Sequence, residues 1–265
     1  MPSVVKAWSN DATSRGPSTQ LWRKQQPLIG QRWTDPNQGV GFFDDFNEIM
    51  ASGSRYALVE ADSGSTVSLL GTDGSPIGGT CRLTTGSTAQ MEAVIGTSEA
   101  ALCKLGKGTG RVWFETRVRV SSVTNGVLAF VVGLTQVGSA AANLVTDTSG
   151  EVATVDFVGF GVDAADGDAL RLLYATASGA VVEHDANAST LAADTFVKLG
   201  LFFDGETTLK YYVDGAQVGT SVTATDTATN FPNGELLSLA ASVKTISATV
   251  ETMDIDWWAV LQEIV

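Results

Sequence analysis

The chain has 265 residues, of which 44% are hydrophobic and 17% are charged, and its formal net charge is −13. The apolar fraction is large enough for a folded core, which excludes disorder over the whole length. The acidic balance argues against nucleic acid as a partner, because an acidic surface repels phosphates. No apolar run reaches the roughly 18 residues that a membrane helix needs, so we expect no membrane span and no membrane partner.

The first forty residues differ from the rest in composition and charge. Residues 1–40 carry a net charge of +3, whereas residues 41–265 carry −16. The segment contains three isolated tryptophans, has no helix or strand period, and lacks the apolar stretch of a secretory signal. Because each indole needs an apolar pocket, we predict an extended N-terminal arm over residues 1–40 that orders on a partner or on its own domain. The alternative is a solvated tail.

The tryptophans and cations of this arm are the candidate partner-binding residues. A mildly basic segment suits an acidic protein surface, and an indole fills an apolar pocket of a partner. The candidates are Trp8, Arg15, Trp22, Arg23, Lys24, Arg32 and Trp33.

From Gly41 to the C terminus the sequence predicts strands throughout. Short runs rich in Val, Ile, Thr and aromatic residues are separated by Gly, Asp, Asn and Ser, and turn signals recur about every 8–12 residues. Many strands at this spacing, with 28 glycines in the chain, indicate a sandwich or jelly roll rather than alternating strands and helices. We therefore predict one all-β domain over residues 41–265.

Alternation in the run Val112–Val120 predicts which side chains face the core. The even-numbered residues form a mainly apolar face. Trp113, Glu115, Arg117 and Arg119 form the opposite face, which we expect to meet solvent.

The run Gly200–Gly219 predicts two tight turns between paired strands. Its aromatic segments end in Asp204-Gly205 and Asp214-Gly215. Asp-Gly pairs suit residues that turn with positive φ, so we interpret the two aspartates as turn formers and not as an acid and its base.

The last run, Ala248–Leu261, alternates in the same way as Val112–Val120. Its pattern predicts that Asp254, Asp256 and Trp258 share one face and that Trp257 lies on the other. Neighbouring aromatic residues in a strand point to opposite sides, so one ring of each pair packs in the core while the other can contact a sugar, a partner or a second layer of the protein. The candidates for a glycan or partner contact are Tyr212, Trp257 and Trp258.

Candidate catalytic and metal-binding groups are few. A glycosidase needs two facing carboxylates about 5–9.5 Å apart, and a calcium loop needs a full set of oxygen ligands. Neither acidic cluster has the required spacing, and a single histidine cannot build a Ser-His-Asp triad. We therefore expect no catalytic residue, no metal and no cofactor. The groups considered are Glu251–Asp254–Asp256, Asp163–Asp166–Asp168 and His184.

Cys81 and Cys103 are the two cysteines of the chain. Two cysteines do not form a disulfide framework, and they lack zinc-site spacing with the histidine. We expect both to be buried and reduced.

Six motifs in order along the chain carry a resemblance to a known family. They are GFFDDFNEI, GGTCRLTTGSTAQMEAVI, RVWFETRVRVSSVTNGVLAFVVGLTQ, VDFVGFGVDAADGDALRLLYA, FVKLGLFFDGETTLKYYVDGAQVG and TMDIDWWAVLQE. The set resembles structural proteins of tailed bacteriophages that have a concanavalin A-like (lectin/glucanase, laminin-G-like) jelly roll. The resemblance covers roughly residues 40–262.

The resemblance implies a two-sheet antiparallel jelly-roll sandwich in a virion component, a capsid decoration (cement) protein that braces capsomer contacts. It implies the major capsid protein and copies of the chain itself as partners, in a dimer or trimer. It also implies a place on the capsid surface after synthesis in the host cytoplasm. The family's metal and sugar residues have no matching loop in this sequence.

Two other classes of function remain open. One is a carbohydrate-binding or host-receptor-binding module of a phage tail or capsid fibre, because lectin-like relatives bind sugars. The weaker one is a glycoside hydrolase.

Overall fold

The computed structural model describes residues 14–24, 35, 37–47, 55–60, 63–70, 79–97, 101–141, 143–147, 151–225 and 228–265. These residues form sixteen strands and one short π-helix, Gln20–Lys24. The strands are β1 Gly39–Asp44, β2 Tyr56–Val59, β3 Thr66–Leu70, β4 Thr80–Thr84, β5 Glu92–Thr97, β6 Cys103–Lys104, β7 Val112–Val120, β8 Leu128–Gln136, β9 Phe157–Val162, β10 Ala169–Ala175, β11 Val182–Thr190, β12 Val197–Phe203, β13 Leu209–Val213, β14 Ala216–Val222, β15 Leu236–Thr245 and β16 Thr252–Glu263.

The strands form two eight-stranded antiparallel sheets. Sheet 1 has the order β14-β13-β12-β7-β16-β4-β3, and β1 pairs with the second half of β16. Sheet 2 has the order β11-β10-β9-β8-β15-β5-β2, and β6 pairs with β15. The predicted all-β, two-sheet antiparallel sandwich is confirmed. No helix in the described part of the chain is long and apolar enough to cross a membrane.

The core lies between the sheets, because alternate residues of each strand point into the same space. Its largest side chains include Phe114, Phe160, Phe203, Tyr211 and Trp258, all essentially without solvent contact. Burial of each contributes about 1.5–3 kcal/mol. The two cysteines are also buried and free, as expected. Burial raises the pKa of both thiols, so they stay protonated and unreactive.

The β12–β13–β14 meander has a turn at each Asp-Gly pair, and the second turn has the predicted positive φ at its aspartate. Leu199 to Phe203 pair with Val213 to Leu209 in antiparallel register. Asp214 and Gly215 both have positive φ, +48° and +75°, which is the geometry of a type I′ turn. Asp204 accepts hydrogen bonds from the backbone N–H groups of the next turn, at 2.8–3.0 Å, as expected of a turn former.

A β-bulge in β16 corrects the predicted alternation of that strand. The register shifts between Ile255 and Trp257, so that Ile255 pairs with Val118 and Trp257 with Arg117. The extra residue, Asp256, moves Trp258 into the core between the sheets and Trp257 to the outer side. Strict alternation had placed Trp258 on the same face as Asp254 and Asp256, and Trp257 on the opposite face.

Candidate functional site

Residues 14–24, the docked segment, lie against the outer face of sheet 1. Leu21 and Trp22 have no solvent contact. They pack on an apolar surface from four strands and from Phe43 of β1, called the arm-docking face. The arm-docking face comprises Trp113, Phe202, Tyr212, Trp257, Ala259 and Leu261, with Phe43 at its border. Part of the predicted arm therefore orders on its own domain.

Gly200 of β12 leaves the space that Leu21 fills. A Cβ atom at this position would lie 2.5 Å from Cδ2 of Leu21, which is too close for two carbon atoms. Glycine weakens a strand interior, so its presence between buried residues of β12 is explained by this close approach. The strand and the segment are thus fitted to each other.

Glu115 of β7 anchors the docked segment by hydrogen bonds. Its Oε2 accepts from the backbone N–H of Ser18 at 2.9 Å and from Nε1 of Trp22 at 2.8 Å. The carboxyl group is fully buried, and this burial raises its pKa to about 6, although the two donors favour the charged form. A carboxylate that was expected in solvent is instead the polar centre of the docking contact.

Arg15 provides a second anchor. Its guanidinium forms an ion pair with Asp256, with Nε 3.0 Å from Oδ2. Arg117 donates to the same oxygen at 2.9 Å. Asp256 is 1% exposed, so both cations compensate the cost of burying its charge. Asp256 thus lies on the same outer face as Asp254, and the bulge brings Trp257 onto this face as well.

A further ion-pair row continues along this face. Asp254 accepts from Arg82 at 2.7 Å and from Arg119 at 2.8 Å. The guanidinium groups of Arg117 and Arg119 lie 4.0 and 4.7 Å from the centre of the Phe196 ring, a cation–π geometry. The acidic pair considered for glycosidase chemistry thus forms ion pairs with arginines on sheet 1.

The structure corrects the expected exposure of the β7 row. Alternation assigned its two faces correctly, but Trp113, Glu115 and Arg117 are buried beneath the docked segment. Sequence reasoning missed Glu115, Ser18 and Gly200 as parts of one site. A signal was present: a tryptophan leads the charged row, and a glycine interrupts an otherwise apolar strand.

Of the seven predicted partner-binding residues, the structure describes the side chains of two. Trp8, Arg32 and Trp33 lie outside the described residues, and so do the side chains of Arg23 and Lys24, whose backbone belongs to the π-helix. Arg15 and Trp22 contact sheet 1, as described above.

The three candidate glycan-contact rings are buried. Tyr212 and Trp257 lie under the docked segment, and Trp258 packs between the sheets against Phe46 and Tyr56. Tyr212 and Trp257 can therefore meet a ligand only when residues 14–24 leave the sheet. Trp258 is a core residue.

The outer face of sheet 2 is covered as well. Residues 143–147 and 151–155 lie on it, with a bridge between Val145 and Val152, and pack on an apolar patch of the sheet. The Glu92 carboxylate accepts a hydrogen bond from the backbone N–H of Val145 at 2.8 Å. Lys244 donates to the backbone carbonyl of Val145 at 2.6 Å. Lys244 also pairs with Asp147. A buried polar network thus fastens this covering loop to the sheet.

The Asp163–Asp168 loop forms a turn with an attached ion pair. Asp163 accepts from the N–H of Ala165 at 2.8 Å and pairs with Arg171, which also contacts Glu183. Within the described residues no group of three His, Cys, Asp or Glu side chains has the geometry to hold a metal ion.

Comparisons with known proteins identify the fold. No family model matches the chain, and no curated protein does. A protein of unknown function from Shewanella oneidensis MR-1 aligns with a TM-score of 0.57 and 16% identity, over 91% of this chain and 94% of that one. The endo-β-1,4-glucuronan lyase of the fungus Trichoderma reesei aligns with a TM-score of 0.57 and 11% identity, over 83% and 94%.

The carbohydrate recognition domain of Emp47p aligns with a TM-score of 0.54 and 12% identity, over 87% of this chain and 99% of that domain. Similarity at these identities shows the fold alone. The chain is a concanavalin A-like, lectin/glucanase-type jelly-roll sandwich, a fold shared by binding domains and enzymes.

Proposed function

We propose that this protein is a non-enzymatic structural protein of a tailed-phage virion, a capsid decoration subunit that braces contacts between capsomers. The carrying observation is that the N-terminal arm is anchored to the sandwich by a buried indole, a buried carboxylate and an arginine ion pair. An arm fixed in this way transmits load between a partner surface and the rigid double sheet. The resemblance of residues 40–262 to phage structural proteins supports the same conclusion.

The proposed mechanism is surface burial and not chemistry. The arm residues outside the docked segment and the edges of the sandwich contact the major capsid protein, and specific contacts of this kind bury about 1,200–2,000 Å² in total. The site of action is the capsid surface. The proposal involves no nucleic acid, membrane or cofactor.

Binding to purified phage heads tests this proposal. Heads lacking the protein are mixed with the full chain and sedimented, and we expect wild type to pellet with them. The double variant Trp8→Ala/Trp33→Ala should bind at least tenfold more weakly, because indoles are frequent hot spots of interfaces. Lys107→Ala, an exposed loop cation, is the control and should bind like wild type. Failure of wild type to bind heads contradicts the proposal.

A carbohydrate-binding module is the second candidate function. The specific observation is that the arm-docking face combines aromatic rings with the indole N–H groups of Trp113 and Trp257, which have no hydrogen-bond partner in the described structure. Rings with free donors suit a ligand rich in hydroxyl groups.

A glycan array tests this candidate on wild type and on Arg15→Ala/Trp22→Ala, in which docking is weakened. Binding that appears in the double variant and disappears when Tyr212→Ala is added would support it. If neither protein binds any glycan on the array, this candidate function is rejected.

A further inference from the structure

Strand β1 lies at an open edge of sheet 1. It pairs with β16 on one side only. The N–H of Ile264 donates to the carbonyl of Gln38, the residue opposite it in the antiparallel pair. This hydrogen bond determines which residues of β1 bond to β16 and which do not. Val40 and Phe42 therefore exchange hydrogen bonds with β16, while the N–H and C=O groups of the intervening residues point away from it.

Three alternate residues of β1 direct their backbone groups away from β16. Beyond β1, the carbonyl of Asp45 accepts from the N–H of Gly79, which closes that end of the edge. In the described part of the chain, the outward backbone groups of Gly39, Gly41 and Phe43 have no hydrogen-bond partner.

Within the described residues, β1 has none of the sequence features that normally block strand addition. Natural edge strands carry lysine, proline, a bulge or an inward charge. The stretch Gly39–Phe43 contains no charged residue and no proline, and its register with β16 is regular. Val40 is 50% exposed on it. The free N–H and C=O groups of such an edge strand can form hydrogen bonds with a strand of another chain.

We propose that β1 pairs with β1 of a second copy of this chain, antiparallel and about a twofold axis at Gly41. This register joins Gly41 to Gly41 of the second copy, and Gly39 to Phe43 of the second copy, so that all three outward residues on each chain are satisfied. Two phenylalanine–glycine pairs result, in which each aromatic ring covers the backbone of a glycine that has no side chain of its own. Val40 then lies opposite Phe42 of the second copy, a favourable β-branched–aromatic pair.

The charge distribution agrees with a second copy as the occupant. In this register Asp44 lies opposite Gln38 of the second copy, and its carboxylate already contacts Tyr56 and Arg55. The acidic chain thus pairs with itself along an uncharged stretch. Because the twofold axis is perpendicular to the sheet, both docked segments lie on the same side of one continuous sixteen-stranded sheet.

Sedimentation velocity over a roughly hundredfold concentration range tests the pairing with the full chain. Wild type should form dimers as concentration rises. Val40→Lys should weaken self-association about tenfold or more, because it places a charge on the edge. Val250→Lys changes a valine that is 54% exposed elsewhere and should dimerise like wild type. Gly41→Pro should also give monomer, since the N–H that it removes is not part of the β16 ladder.

Cysteine cross-linking locates the axis. Residues paired in this way have Cα atoms about 5.5 Å apart, within disulfide range. Gly41→Cys should therefore yield a covalent dimer on mild oxidation, whereas exposed Ala192→Cys should not. A wild type that stays monomeric at every concentration, or dimers that both Val40→Lys and Gly41→Pro leave intact, would overturn the proposal.

Discussion

Glu115 is a fully buried carboxyl group whose two hydrogen-bond donors, Ser18 and Trp22, both belong to the docked segment. Burial raises its pKa from 4.5 to about 6. The folded protein therefore binds a proton more tightly than the unfolded chain. The stabilisation that follows is complete below pH 4.5 and is lost as pH rises through about 6.

The change Glu115→Gln tests this linkage. The amide is neutral at every pH, so the variant lacks this contribution to the pH dependence. Between pH 7.5 and pH 4.5, the wild type should gain about 2 kcal/mol of unfolding free energy relative to the variant. Urea unfolding of both proteins at the two pH values measures the difference. Equal pH dependence in the two proteins would show that Glu115 is not buried beneath the arm.

Gly200 gives a steric prediction at the same site. In Gly200→Val the new side chain meets Leu21, and overpacking of this kind costs about 1–3 kcal/mol. Because the docked segment yields more easily than the sheet, it should detach. Trypsin cleavage after Arg15 should then accelerate about tenfold, since cleavage follows the open population. Ala216→Val, on an exposed position of β14, should leave the cleavage rate unchanged. Equal rates for both variants would argue against docking at Gly200.

At the scale of elements, two segments outside the strands cover the two sheets. The docked segment covers part of sheet 1, and residues 143–147 and 151–155 cover part of sheet 2, held by Glu92 and Lys244. Both contacts contain buried charged groups among apolar residues. Such groups are costly when they lose a partner, so each cover depends on a small number of polar contacts.

The change Lys244→Met tests the second cover. It leaves Glu92 buried without its cation and should lower the unfolding free energy by about 3–5 kcal/mol. Adding Glu92→Gln should restore part of the loss, because the charge is then removed as well. Thermal unfolding of the single and double variants measures the coupling. A single variant as stable as wild type would show that the network does not fasten the loop.

Local elements were predictable from the sequence, whereas their assembly was not. The β12–β13 hairpin follows from two aromatic runs and an Asp-Gly turn that are close in sequence. In contrast, β7 lies between β12 and β16, and the docked segment contacts residues about a hundred and more positions away. These pairings depend on tertiary packing that a single sequence does not encode as a local pattern. The bulge at Asp256 was missed for the same reason, because it places Trp257 against Leu21 and Trp22, more than 200 positions away in sequence.

At the scale of the whole molecule, the described residues form a double sheet whose outer faces are each partly covered, sheet 1 by the docked segment. This architecture suits a subunit that acts through its arm and its edges. Pairing through β1 would place two anchored arms on one side of a dimer, facing the same partner surface. The capsid proposal and the β1 proposal are independent, since a monomer can also bind a capsid.

Electron cryomicroscopy of phage heads with and without the added protein tests the central claim most directly. We expect additional density over the joints between capsomers, with the sandwich recognisable and the arm running onto the capsid protein. Heads incubated with Trp8→Ala/Trp33→Ala should lack this density. Reconstructions that are identical with and without the wild-type protein would contradict a decoration role.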